Sequence, residues 1–305
     1  MPAVRAGGRN GMSIKSLKES IWAERIISQQ HSDGSWGYFH SLGLPSKNRP
    51  LTTEQALRRL QILGFTIDDE PIQKAADYMH RCLSGDIEIP DKKERLHDWR
   101  IFNQLMLSAW IRRFIPHDAL AGKVAEKWAE VIDSTFRNGT YNHDSYVKAF
   151  RKVFGKPPRG GRFTDFVSFY VVSLLSNFLE DKTEKAMFDY ILSHETGIYY
   201  VYESVLTEVP ENFRSKQASR FIGAVELLSE YDNPKCKAKL SYVAEWLLSK
   251  REPDGSWDMG HEAKGGVYFP LSDSWRSCEA RKRDCTYRIE KLLDRLGYET
   301  GKKKL

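Results

Sequence analysis

The residues best equipped for chemistry in this chain are two carboxylates set among aromatic rings. Asp98 lies in the run His97-Asp98-Trp99-Arg100, and Asp165 sits between Phe163 and Phe166, with Tyr170 one to two helical turns further on. A carboxyl group buried with a raised pKa protonates an alkene or takes a proton from a substrate, which makes Asp98, Asp165 and Tyr170 the candidate catalytic residues. Rings along the same wall (Trp99, Phe102, Phe169, Tyr170, Trp275) would stabilise a developing carbocation by about 0.5–2 kcal/mol each. Arg159, Arg162, Arg214 and Arg276 are the candidate anion holders. Two stretches share a basic-Gly-Gly-x-aromatic form, Arg159-Gly160-Gly161-Arg162-Phe163 and Lys264-Gly265-Gly266-Val267-Tyr268. Glycine pairs beside a helix start let the backbone approach an anion closely, so a diphosphate or carboxylate is the expected ligand group. The plainer alternative is that Asp98 and Asp165 cap helices and that the basic loops are solvated.

Positioning these residues falls to an internal repeat. Gln30-His31-Ser32-Asp33-Gly34-Ser35-Trp36 and Arg251-Glu252-Pro253-Asp254-Gly255-Ser256-Trp257 are nearly the same passage, and weaker copies end in Tyr141, Tyr199 and Ile87. The glycines at 34, 85, 139, 197 and 255 are separated by 51, 54, 58 and 58 residues. Periodicity predicts a helix before each glycine (14–30, 71–83, 119–136, 183–193, 235–250) and a second after it (53–63, 98–114, 164–179, 216–229, 274–296). The unit is a helical hairpin. Its second helix is apolar on nearly every side over 163–179, whereas its first carries a single stripe, so the second set is expected as an inner layer and the first as an outer one. Asp-Gly and Asn-Gly supply the left-handed residue that ends an outer helix, and the aromatic two places on packs back across the junction. Long connections, notably 141–161 and 254–273, lead into the inner helices. If these loops share one face, the positive ends of the inner helices converge there with the basic residues, forming a mouth.

The passages 30–36 and 251–257 resemble the repeat motif of terpenoid cyclases and protein prenyltransferases, in which an outer helix ends in Gln, a short gap and Gly-x-Trp. The resemblance implies an all-α fold, an α/α toroid of about five helical hairpins in concentric rings. It spans residues 14–296, with Arg251 or Lys250 standing where the family has Gln. By the same resemblance the protein would bind an isoprenoid or similar apolar anionic ligand in a central cavity and cyclise or transfer it. The family's Asp-x-Asp-Asp and Asp-Asp-x-x-Asp acids are absent, and Asp68-Asp69-Glu70 before Pro71 suits helix capping. No metal site is expected, since Asp273, Cys278 and His261 lack a ligand spacing. Magnesium would enter only with a diphosphate substrate. Related toroids serve as non-catalytic recognition modules for a protein or acidic partner and as glycan-processing enzymes; the last would draw on His143, Tyr146 and Tyr170.

Composition narrows the classes further. The 305 residues carry 47 basic and 41 acidic side chains, a net +6, too balanced for a dedicated nucleic-acid binder. No apolar run is long enough to span a bilayer, and the first twenty residues lack the apolar core of a signal peptide, so a cytoplasmic protein is expected. Four cysteines form no CxxC pair and are expected as buried thiols. Five units fill the chain as a single domain over 13–300, with an extension at 1–12 and a basic tail at 301–305.

Overall fold

Short polar residues start most of the helices. Ser20, Thr52, Asp98, Asp118, Asn142, Ser168, Ser215, Asn233 and Ser277 each accept a hydrogen bond from a backbone amide of the first turn that follows. Each satisfies a donor that the helix itself leaves open. The computed structural model describes residues 17–40, 50–93, 95, 97–160, 163–265, 271 and 275–298. Within them the chain forms twelve α-helices and no strand: α1 (Ile21–Ile27), α2 (Thr53–Ile62), α3 (Glu70–Ser84), α4 (Trp99–Phe114), α5 (Ala119–Thr135), α6 (His143–Phe154), α7 (Phe169–Leu174), α8 (Asp181–Ser193), α9 (Lys216–Leu228), α10 (Pro234–Ala238), α11 (Ser241–Ser249) and α12 (Cys278–Arg295). The all-α expectation holds. No helix among the described residues is long and apolar enough to cross a membrane.

Seven of the ten expected helices lie as single elements within a few residues of their predicted bounds; that expected at 14–30 is the shorter α1, with 14–16 outside the described residues, that at 164–179 is the shorter α7, and that at 235–250 is split into α10 and α11. Three differences have local causes. The stretch 141–161, expected as a loop, contains α6, whose Tyr146, Ala149 and Phe150 are buried at helical spacing against α5. The expected helix 164–179 shrinks to α7, because residues 167–168 run extended and pair with Tyr199, and Ser168 then caps the helix. Asp165 is therefore outside a helix and caps nothing. Of the four thiols, Cys236 and Cys285 are buried, Cys82 is intermediate and Cys278 is exposed, which corrects the expectation for that residue.

Burial follows the predicted asymmetry. Every residue of α7 is buried, and α4 and α9 are buried on most sides, whereas α3 buries only Ile72, Ala75, Ala76, Tyr78 and Met79 along one stripe. Helix α4 packs on α3, α5 and α7, and α7 in turn packs on α9.

The two good repeat copies are the same structure. Trp36 is buried, with its indole N–H donating to Ile26 O at 2.7 Å and its amide to Thr53 Oγ1 at 2.9 Å. Trp257 is buried likewise, with donations to Leu247 O at 2.7 Å and Thr286 Oγ1 at 3.0 Å. Each Trp thus ties the end of one helix to the next long one, Trp36 at the first residue of α2 and Trp257 at the middle of α12. Gln30 Nε2 donates to Gly34 O at 2.9 Å, and Arg251 Nε does the same for Gly255 O at 3.0 Å, so the departure from Gln keeps its bond.

Gly34 has φ +94°, and a Cβ there would lie 2.1 Å from Lys74 O, whereas Gly139, at φ +82°, has open space around it. Gly139→Ala should cost only the left-handed backbone penalty, about 1–2 kcal/mol. Gly34→Ala must also move the backbone of α3, and its denaturation midpoint should fall clearly further; equal losses for the two variants would mean the turn is not held by that contact.

Candidate functional site

A buried carboxylate organises the middle of the molecule. Glu54 lies in the first turn of α2, fixed by the capping box that Thr52 and Gln55 form, and is fully buried. Its Oε1 accepts from Trp110 Nε1 of α4 at 3.1 Å and from the Tyr170 hydroxyl of α7 at 2.9 Å. Its Oε2 lies 3.1 Å from His40 Nδ1, which is also 2.7 Å from the Tyr170 hydroxyl. With the proton on Nδ1, His40 donates to Glu54 while Tyr170 donates to the other carboxylate oxygen. Asp91 holds this part of the chain by accepting from the amides of Phe39 and His40. Rings of Phe102, Tyr170 and Tyr200 pack edge-on or tilted around the imidazole. Tyr200 does so from a left-handed backbone, φ +74°, which costs a bulky residue about 1–3 kcal/mol and marks a position held for its side chain.

Burial alone would raise the Glu54 carboxyl. The His40 hydrogen bond and charge, the Arg58 charge and the Trp110 hydrogen bond outweigh it, and the group titrates below the usual carboxylate range. Tyr170 is pushed well above its ordinary value by burial and by the Glu54 charge. The pair therefore stays carboxylate and phenol at neutral pH.

Below this group lies a cavity of about 90 Å³ to which all five expected inner helices contribute, α2, α4, α7, α9 and α12. Arg58, Arg113, Arg288, Lys291 and Arg295 line it against only two carboxylates, Glu226 and Glu230. The partners are unevenly shared. Arg113 spends all five donors on Gln61, Ser173 and a bidentate clasp of Glu230. Arg288 clasps Glu226 through Nε and Nη2. Arg58 is different: its Nε and Nη2 are buried with no hydrogen-bond partner, and the guanidinium lies 4.6 Å from the Phe169 ring centroid. Burial and the neighbouring Arg113 depress its pKa, against the raising effect of Glu54. Lys291 makes no hydrogen bond or ion pair with a described residue, and burial followed by the Arg295 charge lowers its amine below the usual lysine range. Several of these groups sit at helix C-termini, Arg113 in the last turn of α4 and Arg295 in that of α12, where the partial negative charge of the helix end favours a cation. A second cavity, about 390 Å³, lies between the end of α3 and the start of α4 and is walled by Trp99, Arg100 and Asn103 among others.

The structure places the sequence-derived candidates as follows. Asp98 caps α4, accepting from Ile101 N, and pairs with Lys156. Asp165 accepts from His194 Nε2 and the Tyr190 hydroxyl, both at 2.9 Å, and from Val167 N. Tyr170 alone of the three joins the buried network. Arg159 donates to Arg95 O, Arg214 pairs with Glu252, and Arg276 is exposed. None of these lines either cavity, and Arg162 lies outside the described residues. Phe169 lines the central cavity, Trp99 the second, and Trp275 is buried with its indole N–H on Asp284. His143 makes its contacts with Tyr141 and Tyr146 rather than with Tyr170. Cys278 donates weakly to Asp258, His261 sits in a short 3-10 turn, and Asp273 lies outside the described residues. Among the described residues no group of three His, Cys, Asp or Glu side chains is arranged to hold a metal ion.

The groups around the cavity escape a search for acidic motifs. Their signal is charge at one-turn spacing along one helix face: Glu54 with Arg58, Glu226 with Glu230, and Arg288 with Lys291 and Arg295. No family model, curated protein or solved structure matches the chain.

Two predictions follow from these bonds. Glu54→Gln leaves Arg58 without its nearest negative charge and should cost about 3–5 kcal/mol in urea unfolding, as expected for breaking a buried pair. Asp98→Asn keeps a good cap and loses one partly exposed pair, about 0–1 kcal/mol; a reversal of that order would remove Glu54 from its central role. The second concerns pH. The Asp165 hydrogen bond raises His194 above its usual 6.5, while burial of Asp165 is outweighed by His194, the Val167 amide and Tyr190, leaving it below its usual 3.8. The histidine's contribution is complete below pH 6.5 and fades as pH rises through the elevated folded value; the aspartate's is complete above 3.8 and fades as pH falls through the depressed one. His194→Gln should therefore destabilise most near pH 5 to 6 and progressively less above neutrality, and a penalty independent of pH would show that the charge on His194 plays no part.

Proposed function

We propose that the chain is an α/α toroid of five helical hairpins whose axial pocket binds a compact organic anion. The observation that carries this reading is the charge of the cavity where α2, α4, α7, α9 and α12 meet: Arg113 and Arg288 are clasped by Glu230 and Glu226, while Arg58, with Glu54 as its nearby counter-charge, keeps Nε and Nη2 without a hydrogen-bond partner and Lys291 has no ion pair with a described residue. The toroid is supported by that meeting of the five alternate helices, by the heavy burial of α4, α7 and α9 among them, and by the matched Trp36 and Trp257 turns that hand the chain from one helix to the next. Buried guanidinium donors without partners cost free energy that a bound anion returns. Size sets the ligand class. Sites for drug-sized molecules run to roughly 300–1,000 Å³, and one water takes about 30 Å³. A cavity of about 90 Å³ suits a carboxylate or phosphoryl group with a short carbon skeleton.

The isoprenoid reading is the second proposal. What favours it is the group above the pocket, His40, Glu54 and Tyr170, ringed by Phe102 and Tyr200, in which an ionised carboxylate beside aromatic faces suits taking a proton from a carbocation. On that reading these residues take the role first expected of Asp98 and Asp165, which are engaged with Lys156 and His194.

Calorimetric titration separates the two. Oxalate, phosphate and diphosphate should bind with affinity that weakens as salt rises, and Arg58→Gln should weaken binding about tenfold or more, in line with a lost charge-assisted bond of about 1.5–3 kcal/mol. Tight binding of farnesyl diphosphate but not of diphosphate, or turnover with magnesium, would favour the isoprenoid reading; no binding by any anion would end the first.

A further inference from the structure

Lys291 is the one ammonium group of the axial pocket, and its setting differs from that of an ordinary surface lysine. It lies on one face of α12 with Tyr287, Arg288 and Arg295, a turn away in either direction, and that face lines the cavity. The two guanidiniums flank it with like charge, partial burial removes water from it, and no described carboxylate pairs with it, since Glu226 and Glu230 clasp Arg288 and Arg113. Such surroundings lower the amine below the usual lysine range, against the raising charges of Glu226 and Glu230, and so enlarge the fraction that carries a free lone pair. Across the same cavity Arg58 offers guanidinium donors that no protein group uses. An amine free to react beside an unsatisfied anion holder is the arrangement required to condense with a carbonyl compound bearing a negative charge.

We propose that Lys291 is a carbonyl-reactive amine that forms an imine with a small 2-oxo acid or aldehyde acid whose carboxylate is held by Arg58. This rests on the axial pocket being an anion site and adds a covalent step to it. The Lys291 nitrogen lone pair attacks the carbonyl carbon, forming the C–N bond while the C–O π electrons pass to oxygen. A proton moves from nitrogen to that oxygen, giving a carbinolamine. A second proton then releases the oxygen as water as the C=N bond forms. One amine and one carbonyl thus give one imine and one water, with no oxidant or reductant required. The cavity volume limits the partner to a few carbon atoms, the size of glyoxylate or pyruvate.

The test is reductive trapping. The full chain is incubated with glyoxylate or pyruvate and sodium borohydride, which reduces an imine to a stable secondary amine, and adducts are mapped by peptide mass spectrometry. Lys291 should be the most rapidly labelled lysine of the chain, since a lowered amine pKa raises the neutral fraction and the pocket holds the carbonyl compound beside it. Excess oxalate, which carries the charge without a reactive carbonyl, should suppress the label, and Arg58→Gln should reduce it. Lys291→Arg, which keeps the charge, should lose the adduct, with its unfolding midpoint measured to show that it is folded. Labelling spread evenly over the lysines, or unaffected by Lys291→Arg, overturns the proposal. If oxalate binds and no Lys291 adduct forms, the covalent step fails and the anion site stands. If oxalate does not bind at all, both fall.

Discussion

A charge removed from water must find its partners inside, and that constraint governs the centre of this protein. Glu54 is fully buried, and the groups that satisfy it come from α4, α7 and the segment before residue 41. An uncompensated carboxylate there would cost several kcal/mol, so the three elements are held in one mutual register. Arg113 imposes the same condition one level below, reaching α2 through Gln61, α7 through Ser173 and the end of α9 through Glu230. Apolar packing between helices tolerates small slips and rotations; directed bonds to buried charges do not, which gives these networks their value as specifiers of arrangement.

The periphery is organised by a different device. The first helix of each of the two well-formed repeats ends in a glycine turn, and the tryptophan beyond it returns its indole N–H to the helix it has just left. The same tryptophan's amide is bound by a threonine at the next inner helix, so one residue fixes the angle between the two. That Arg251 reproduces the bond made by Gln30 shows what the position requires: a donor on a flexible stem, rather than a particular side chain. The Asp165–His194 pair plays a comparable part at the fourth unit, anchoring the turn from which Tyr200, in its strained conformation, reaches the ring cluster around His40.

Much of the secondary structure was legible because it depends on local spacing. Caps, breakers and 3.6-residue periodicity are properties of neighbouring residues, and they located the helices and the turns at Gly34 and Gly255. The misses also have local reasons. Helix α6 was hidden because the glycine at 139 made the following stretch look like another long connection, although Asn142 and the Tyr146, Ala149, Phe150 spacing signalled a helix. Helix α7 was overestimated because 163–168 is as apolar as a buried helix, and periodicity does not separate a buried extended segment from one. Among the site candidates, Tyr170 and Phe169 fell at the centre, whereas Asp98, Arg159 and Arg214 found partners away from it, in Lys156, Arg95 and Glu252.

By itself the sequence determined an all-helical chain built from a repeated hairpin, with heavily apolar helices alternating with single-striped ones, since these features are written in residues a few positions apart. The choice of partners at the centre was left to the tertiary structure. Glu54 meets His40 across 14 residues, Trp110 across 56 and Tyr170 across 116, and no periodic pattern relates those separations. Charges on an apolar helix announce that partners exist, but which ones they meet depends on how the helices assemble. The same holds for the two cations left over: that Arg58 and Lys291 share one cavity follows only once α2 and α12, more than two hundred residues apart, are brought side by side.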